Sequence, residues 1–286
     1  MVRTDGTLIG ALHVCGNLLR WGARTYVMGI VNVTPDSFSG DGVPGADAAV
    51  ARAIEQWNAG ADILDIGGES TRPGHQPVSE SVEIERIVPV IRAVRTQLPD
   101  APISVDTYKP GVLRAAYDAG ANLVNSIWGA SEELLGVVAE LKIPIVAMHN
   151  QTGTLYAGSV VEEVARYLND CASRAVARGI PRESIVLDPG IGFGKTADQN
   201  LEVLRSLQTI VALGYPTMIG TSRKSTIGLV TGHDVDERVY GTVATTALAI
   251  AAGIDIVRVH DVAATRDSVA VADAVVRGWR PETWTR

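Results

Sequence analysis

The chain has 286 residues and a mass of 30.2 kDa, with 46% hydrophobic and 20% charged residues. This composition excludes a disordered, collagen-like or coiled-coil chain, and a core of this size needs no staples from its two cysteines, Cys15 and Cys171. A net charge of -7 and a pI near 5.3 speak against nucleic acid and membrane surfaces as partners, while leaving room for a local basic pocket.

Residues 1–25 carry no apolar run before a cleavage site, so no secretory signal is expected, and a turn-like stretch at 14–17 predicts a small hairpin closing the bottom of the fold. The uncharged stretch 241–254 is too short to span a bilayer, and a cytoplasmic protein is expected. Strand-like runs then follow at 27–31, 62–66, 103–105, 122–125, 144–148, 185–187, 217–219 and 255–259. They are nearly continuously apolar, as strands buried on both faces of a parallel sheet must be. Helix-period segments lie between them, among them 46–58, 82–97, 161–178 and 238–252. The joints repeat: Asn58-Ala-Gly-Ala-Asp62, Asp118-Ala-Gly-Ala-Asn122 and Ala251-Ala-Gly-Ile-Asp255 each place Gly where a helix stops and a strand begins. Eight β-then-α units in about 250 residues predict a (β/α)8 barrel over 26–286 behind a hairpin-like extension over 1–25; a doubly wound open sheet is the alternative.

In such a barrel the chemistry gathers at the carboxyl ends of the strands. Those ends read Asn32, Asp65 with Gly67-Gly68-Glu69, Asp106, Asn125, His149, Asp188, Ser222-Arg223-Lys224-Ser225, and Arg258 with His260. Arg258 and His260 are two apart on one strand and project to the same side. With Arg72 and Lys224 they point to an anionic substrate, most simply a phosphate or diphosphate; an internal salt-bridge ring at the barrel rim is the alternative.

Other signals fail on spacing. The stretch Gly190-Ile-Gly-Phe-Gly-Lys-Thr196 resembles a phosphate-binding loop but has Pro189 where that loop requires Gly. The five histidines lack zinc spacing, no Ser sits in a nucleophile elbow, and Cys171 falls in a helical segment as a core residue. Two loops, 32–42 and 67–75, are long, rich in Gly and Pro, and read as lids over the mouth.

Six segments in chain order resemble the dihydropteroate synthase family, the folate-pathway enzymes that sulfonamides inhibit. They are Met28-Gly-Ile-Val-Asn-Val-Thr-Pro-Asp-Ser-Phe38, Asp65-Ile-Gly-Gly-Glu-Ser-Thr-Arg-Pro-Gly74, Ile103-Ser-Val-Asp-Thr-Tyr-Lys-Pro110, Leu187-Asp-Pro-Gly-Ile-Gly-Phe-Gly-Lys195, Ser222-Arg-Lys-Ser225 and Ile256-Val-Arg-Val-His-Asp261. The resemblance implies condensation of 6-hydroxymethyl-7,8-dihydropterin diphosphate with 4-aminobenzoate, through loss of diphosphate and attack of the arylamine on a pterin methylene cation. By the same resemblance Asp106, Asn125, Met148, Asp188 and Lys224 hold the pterin. Asn32, Arg72, Arg258 and His260 hold the diphosphate, and Phe38, Thr71, Pro73 and Ser225 the 4-aminobenzoate. Catalysis falls to Lys224, Arg258, His260, Asp106 and Arg72. Mg2+ is implied as cofactor, with Asn32 and secondarily Asp106 as oxygen ligands, and a homodimer as the assembly. A pterin-binding methyltransferase domain acting on a corrinoid protein and a non-catalytic pterin-binding paralogue are the alternative functions. The chain departs from the family pattern at Ser126, at His149-Asn-Gln-Thr-Gly153, at Gly40 and at Tyr108.

Overall fold

The computed structural model describes residues 10–33, 45–70, 77–281 and 283–284. It opens with the antiparallel pair β1 (Ala11–Val14) and β2 (Asn17–Arg20). Strands and helices then alternate: β3 (Tyr26–Asn32), α1 (Gly45–Asn58), β4 (Ile63–Gly67), α2 (Glu80–Gln97), β5 (Ile103–Asp106), α3 (Pro110–Ala119), β6 (Leu123–Ser126) and α4 (Glu132–Leu141). The second half continues with β7 (Ile145–Met148), α5 (Val160–Ala177), β8 (Ile185–Asp188), α6 (Ala197–Arg205), α7 (Leu207–Val211), β9 (Met218–Ile219), α8 (Ser225–Thr231), α9 (Val239–Ala252), β10 (Ile256–Val259) and α10 (Val262–Val276). Every predicted strand is present. The eight parallel strands run in the order β8-β7-β6-β5-β4-β3-β10-β9, and a parallel bridge from Leu187 to Thr217 closes the ring, so the sheet is a (β/α)8 barrel and not an open doubly wound sheet.

The seam at β9 is only two residues long. Its cause lies in Asp255: the backbone N–H of Thr217 donates to the Asp255 carboxylate (2.9 Å), while the Thr217 carbonyl accepts from both Asp255 and Ile256. The predicted helix-to-strand joints also hold. Gly120 and Gly253 cap α3 and α9 with φ of 115° and 102°, a left-handed conformation that a side chain would strain.

The period of two along each strand divides the interior from the exterior. Val27, Leu64, Val124, Ile145, Leu187 and Val257 belong to the core between sheet and helices. Their neighbours Met28, Ile63, Leu123, Val146, Val186 and Ile256 point inward at the lower end, where they pack with Leu12, Val14, Leu19 and Trp21 of the hairpin. The hairpin thus plugs the bottom of the barrel, pinned there by the Trp21 indole N–H on the Glu183 carbonyl (3.0 Å).

The repeated joints carry a second device. In each, the residue two after the Gly turns its side chain onto a backbone N–H at the start of the neighbouring strand. Asp62 accepts from Val27 (2.8 Å), Asn122 from Ile103 (2.9 Å) and Asp255 from Thr217. Asp255 additionally accepts from the Thr217 hydroxyl and the Gly22 N–H, and it is buried. Asp255→Ala strands three donors and should cost roughly 2–4 kcal/mol, against about 1 kcal/mol for Asn122→Ala, which strands one. Urea unfolding midpoints at constant slope check the order; an equal cost at the two positions would refute this account of the lower rim.

Candidate active site

Continuing inward by twos up the strands, the apolar floor gives way to polar groups: Ile63 to Asp65, Leu123 to Asn125, Val186 to Asp188, and Ile256 to Arg258 and His260. Arg258 is the hub. Its Nε donates to Asp65 Oδ2 (2.6 Å) and its Nη2 to Asp106 Oδ2 (2.7 Å), while Asn125 Nδ2 also donates to Asp65 (3.0 Å). Asp65 is fully buried. The oxygens Asp65 Oδ1 and Asn125 Oδ1 are buried with no hydrogen-bond partner among the described residues. Among the described residues the Asp188 carboxylate accepts one bond, from the Gly190 N–H (2.7 Å). Gly190 lies at φ 68°, and a Cβ there would stand 2.0 Å from the His149 carbonyl oxygen, so only glycine allows this loop to lie against β7. Lys224, at the start of α8, stands with Nζ 3.9 Å from the centroid of the Phe193 ring.

Burial sets the electrostatics of the mouth. It pushes the Asp106 carboxyl up to about 7 against the pull of Arg258, and Asp188 up to about 6 against the Gly190 N–H and Lys224. Burial, reinforced by Arg258, brings Lys224 down to about 8. His260 is lowered to about 3 by burial and then by Arg258 and Arg223, so its imidazole is neutral near pH 7; its Nδ1 lies 3.0 Å from Ser222 Oγ. The sequence counts His260 as a potential cation, and burial beside Arg258 holds it uncharged. Arg258 is both a mouth cation and the centre of a salt-bridge ring, so the two readings of its charge coexist.

The structure brings together Asp106, Asn125, Met148, Asp188, Lys224, Arg258 and His260 at the carboxyl ends of β5 to β10. Asn32 ends β3, half-buried, and Ser225 is exposed at the first position of α8. Phe38, Thr71, Arg72 and Pro73, and with them Gly40, lie outside the described residues. The Tyr108 departure is absorbed locally, its hydroxyl donating to Glu69 Oε1 (3.2 Å). Ser126 is buried and faces the helices, on the same side of β6 as Val124.

Three contributors had no assigned role in the sequence reading. Asp65 orients Arg258, Ser222 partners His260, and Phe193 underlies Lys224. For Phe193 a signal was available: both phenylalanines of the chain, Phe38 and Phe193, fall in strand-end loops and not in the core segments. Among the described residues no cluster of three or more His, Cys, Asp or Glu is gathered for a metal ion.

Residues 28–260 match the family model described as "Pterin binding enzyme". The dihydropteroate synthase of Clostridium beijerinckii is 48% identical over 260 residues, covering 90% of this chain and 96% of that protein. The structure of Xanthomonas albilineans dihydropteroate synthase with 4-aminobenzoic acid superposes with a TM-score of 0.89 at 42% identity, over 95% of this chain and 99% of that one. The same enzyme in complex with 7,8-dihydropteroate gives 0.86 at 40% identity, over 95% and 100% of the two chains.

The raised Asp188 carboxyl has a thermodynamic signature. Because the folded protein keeps this proton up to about pH 6 while the unfolded chain loses it near pH 4, the group's contribution to stability is complete below pH 4 and is lost as pH rises through about 6. Asp188→Asn keeps an oxygen for the Gly190 N–H but does not titrate. Its melting temperature relative to the unsubstituted protein should therefore climb between about pH 4 and pH 7 and then level off; a pH-independent difference in a series of thermal melts would refute the shift.

Proposed function

This chain belongs to the dihydropteroate synthase family of pterin-binding enzymes, and we propose that its barrel mouth condenses 6-hydroxymethyl-7,8-dihydropterin diphosphate with 4-aminobenzoate. In this reaction the methylene C–O bond to diphosphate breaks, a C–N bond to the arylamine forms, and the amine gives up a proton to solvent. The observation that carries the reading is the set of buried acceptors on the inner wall: Asp188 with one bond made, and the unpartnered Asn125 Oδ1. An aminopyrimidine edge presents adjacent N–H donors, which a carboxylate accepts together. Lys224, which is largely protonated below its lowered value near 8, suits the carbonyl and nitrogen side of the same ring, and Met148 offers a soft apolar face.

Asn32, Arg72, Arg258 and His260 are assigned to the diphosphate. Arg258 is already oriented by Asp65 and Asp106, so it meets the leaving group without reorganising. A neutral His260 donates one N–H to an arriving phosphate, whose negative charge in turn raises the imidazole's affinity for a proton. Mg2+, held by the diphosphate with Asn32 and Asp106 as protein oxygens, would supply further neutralisation of leaving-group charge. Phe38, Thr71, Pro73 and Ser225 are assigned to the 4-aminobenzoate. Since the electrophile is made by departure of diphosphate, no strong base is needed near the arylamine.

A homodimer is favoured by exposed apolar side chains along the outer faces of α8 to α10: Leu229, Val230, Tyr240, Leu248, Val271 and Val275. Both cysteines are free thiols, which suits a reducing, cytoplasmic compartment. No helix among the described residues is long and apolar enough to cross a membrane.

The test is formation of dihydropteroate and diphosphate in equal amounts by the pure protein, with and without Mg2+. Lys224→Ala should lower kcat/KM by about a hundredfold or more while circular dichroism and melting temperature stay near those of the unsubstituted protein. Absence of product from the unsubstituted protein, or normal turnover by the variant, would overturn the assignment.

A further inference from the structure

The loop over 190–195 resembles a phosphate-binding loop in sequence, yet its lysine is committed to groups of the protein itself. Lys195 is buried, and its ammonium has three neighbours at hydrogen-bond distance: the Gly190 carbonyl (3.0 Å), the Phe193 carbonyl (3.0 Å) and His149 Nδ1 (2.9 Å). An ammonium has three protons, so its donor capacity is filled. The imidazole that receives one of them is itself held between Tyr156 and Tyr167, at ring-centroid distances of 6.1 and 5.0 Å. The loop's own N–H groups are also committed, Gly190 to Asp188 and Gly192 to Asn200, so none of these cradles an anion. The consequence falls on Phe193. Its carbonyl is tied to Lys195, and its ring is the surface on which the Lys224 ammonium rests.

We propose that Lys195 is a positioning residue for the reaction: by drawing the Gly190 and Phe193 carbonyls onto one ammonium, braced by His149, it seats the Phe193 ring beneath Lys224 and so fixes where Lys224 meets the pterin. This inference rests on the synthase reading for its substrate, but not for the loop geometry. Burial lowers the proton affinity of Lys195 to near 7 and that of His149 to near 3, so the imidazole is neutral and free to accept from the Lys195 amine. Asp188 and Lys224 are the other charged groups that act on Lys195, in opposite directions.

A double-mutant cycle tests it. Lys195→Met, Phe193→Ala and the double variant are compared in kcat/KM for the dihydropterin diphosphate, and in hydrogen exchange of the ligand-free loop over 190–194. The proposal expects Lys195→Met to fold, to exchange faster in this loop, and to lose about tenfold or more in kcat/KM. The double variant should fall within about twofold of Phe193→Ala alone, because the lysine then has no ring left to position. Multiplying losses, activity of Lys195→Met near that of the unsubstituted protein, or unchanged loop exchange would each overturn it. If Lys195→Met does not fold, Lys195→Gln, which keeps two donor hydrogens, carries the same cycle. If the unsubstituted protein makes no product, the synthase reading fails on its own. The cycle is then read in calorimetric affinity for the same diphosphate and in loop exchange, with the same outcomes deciding.

Discussion

The guanidinium of Arg258, set between Asp65 and Asp106, is the constraint around which the barrel mouth is arranged. The two carboxylates come from adjacent parallel strands, β4 and β5, and would repel each other in a poorly hydrated interior. Arg258 reaches them from β10, on the far side of β3, and satisfies them with different nitrogens, Nε for one and Nη2 for the other. A lysine could not do this, since it offers a single nitrogen where the geometry requires a planar fork. Removing the guanidinium would leave two uncompensated buried acids, and removing either acid would free a cation in the mouth. Buried ion clusters of this kind add little net stability, because desolvation offsets most of their attraction. What the cluster fixes is orientation, which under the proposed function holds a cation ready for an anionic leaving group.

That division of labour runs through the whole molecule. At the bottom, carboxylates and amides such as Asp62, Asn122 and Asp255 are committed to backbone N–H groups of neighbouring strands, and the interior is closed by the hairpin. At the top, the same residue types are left under-satisfied and shifted away from their ordinary proton affinities by burial. Two acids that resist ionisation and a lysine that resists protonation together make the mouth a destabilising element near neutral pH. A ligand that supplies the missing donors and charge relieves that cost, and its binding stabilises the folded protein by the same amount.

The fold was legible because its cause is local. Continuous β-branched runs, glycine at the joints and polar residues at one end of each run are properties of short windows, and strand geometry then dictates which residues share the barrel interior. The candidate site was legible as a list for the same reason: Asp106, Asn125, Asp188 and Arg258 are simply the next inward positions above the apolar floor. What the sequence left hidden depends on distances between strands. That Arg258 is shared by two acids and that Asp65 has an orienting task depend on partners 150 or more residues away, and that His260 is neutral depends on burial. The length of β9 is hidden in the same way, since the Asp255 side chain that truncates its ladder arrives from 38 residues downstream.

The lysines show what structure adds to such a list. The chain has four, at 109, 142, 195 and 224, and all but Lys142 stand at the carboxyl ends of barrel strands, where any of the three could be read as a catalytic cation. Hydrogen-bond capacity separates them. Lys109 donates to Glu69, Glu83 and the Val78 carbonyl, and Lys195 to two loop carbonyls and an imidazole; both ammonium groups are filled and hold backbone in place. Lys224 Nζ has no hydrogen-bond acceptor among the described residues; it rests on an aromatic ring and feels Asp188 and Asp106 only at a distance. An ammonium with unspent donors in a site lined by buried acids is out of place structurally, and a substrate that brings a carbonyl and a ring nitrogen completes it. Of three lysines equally placed by sequence, the unsatisfied one is therefore the one we propose meets the ligand, while the other two hold backbone around it.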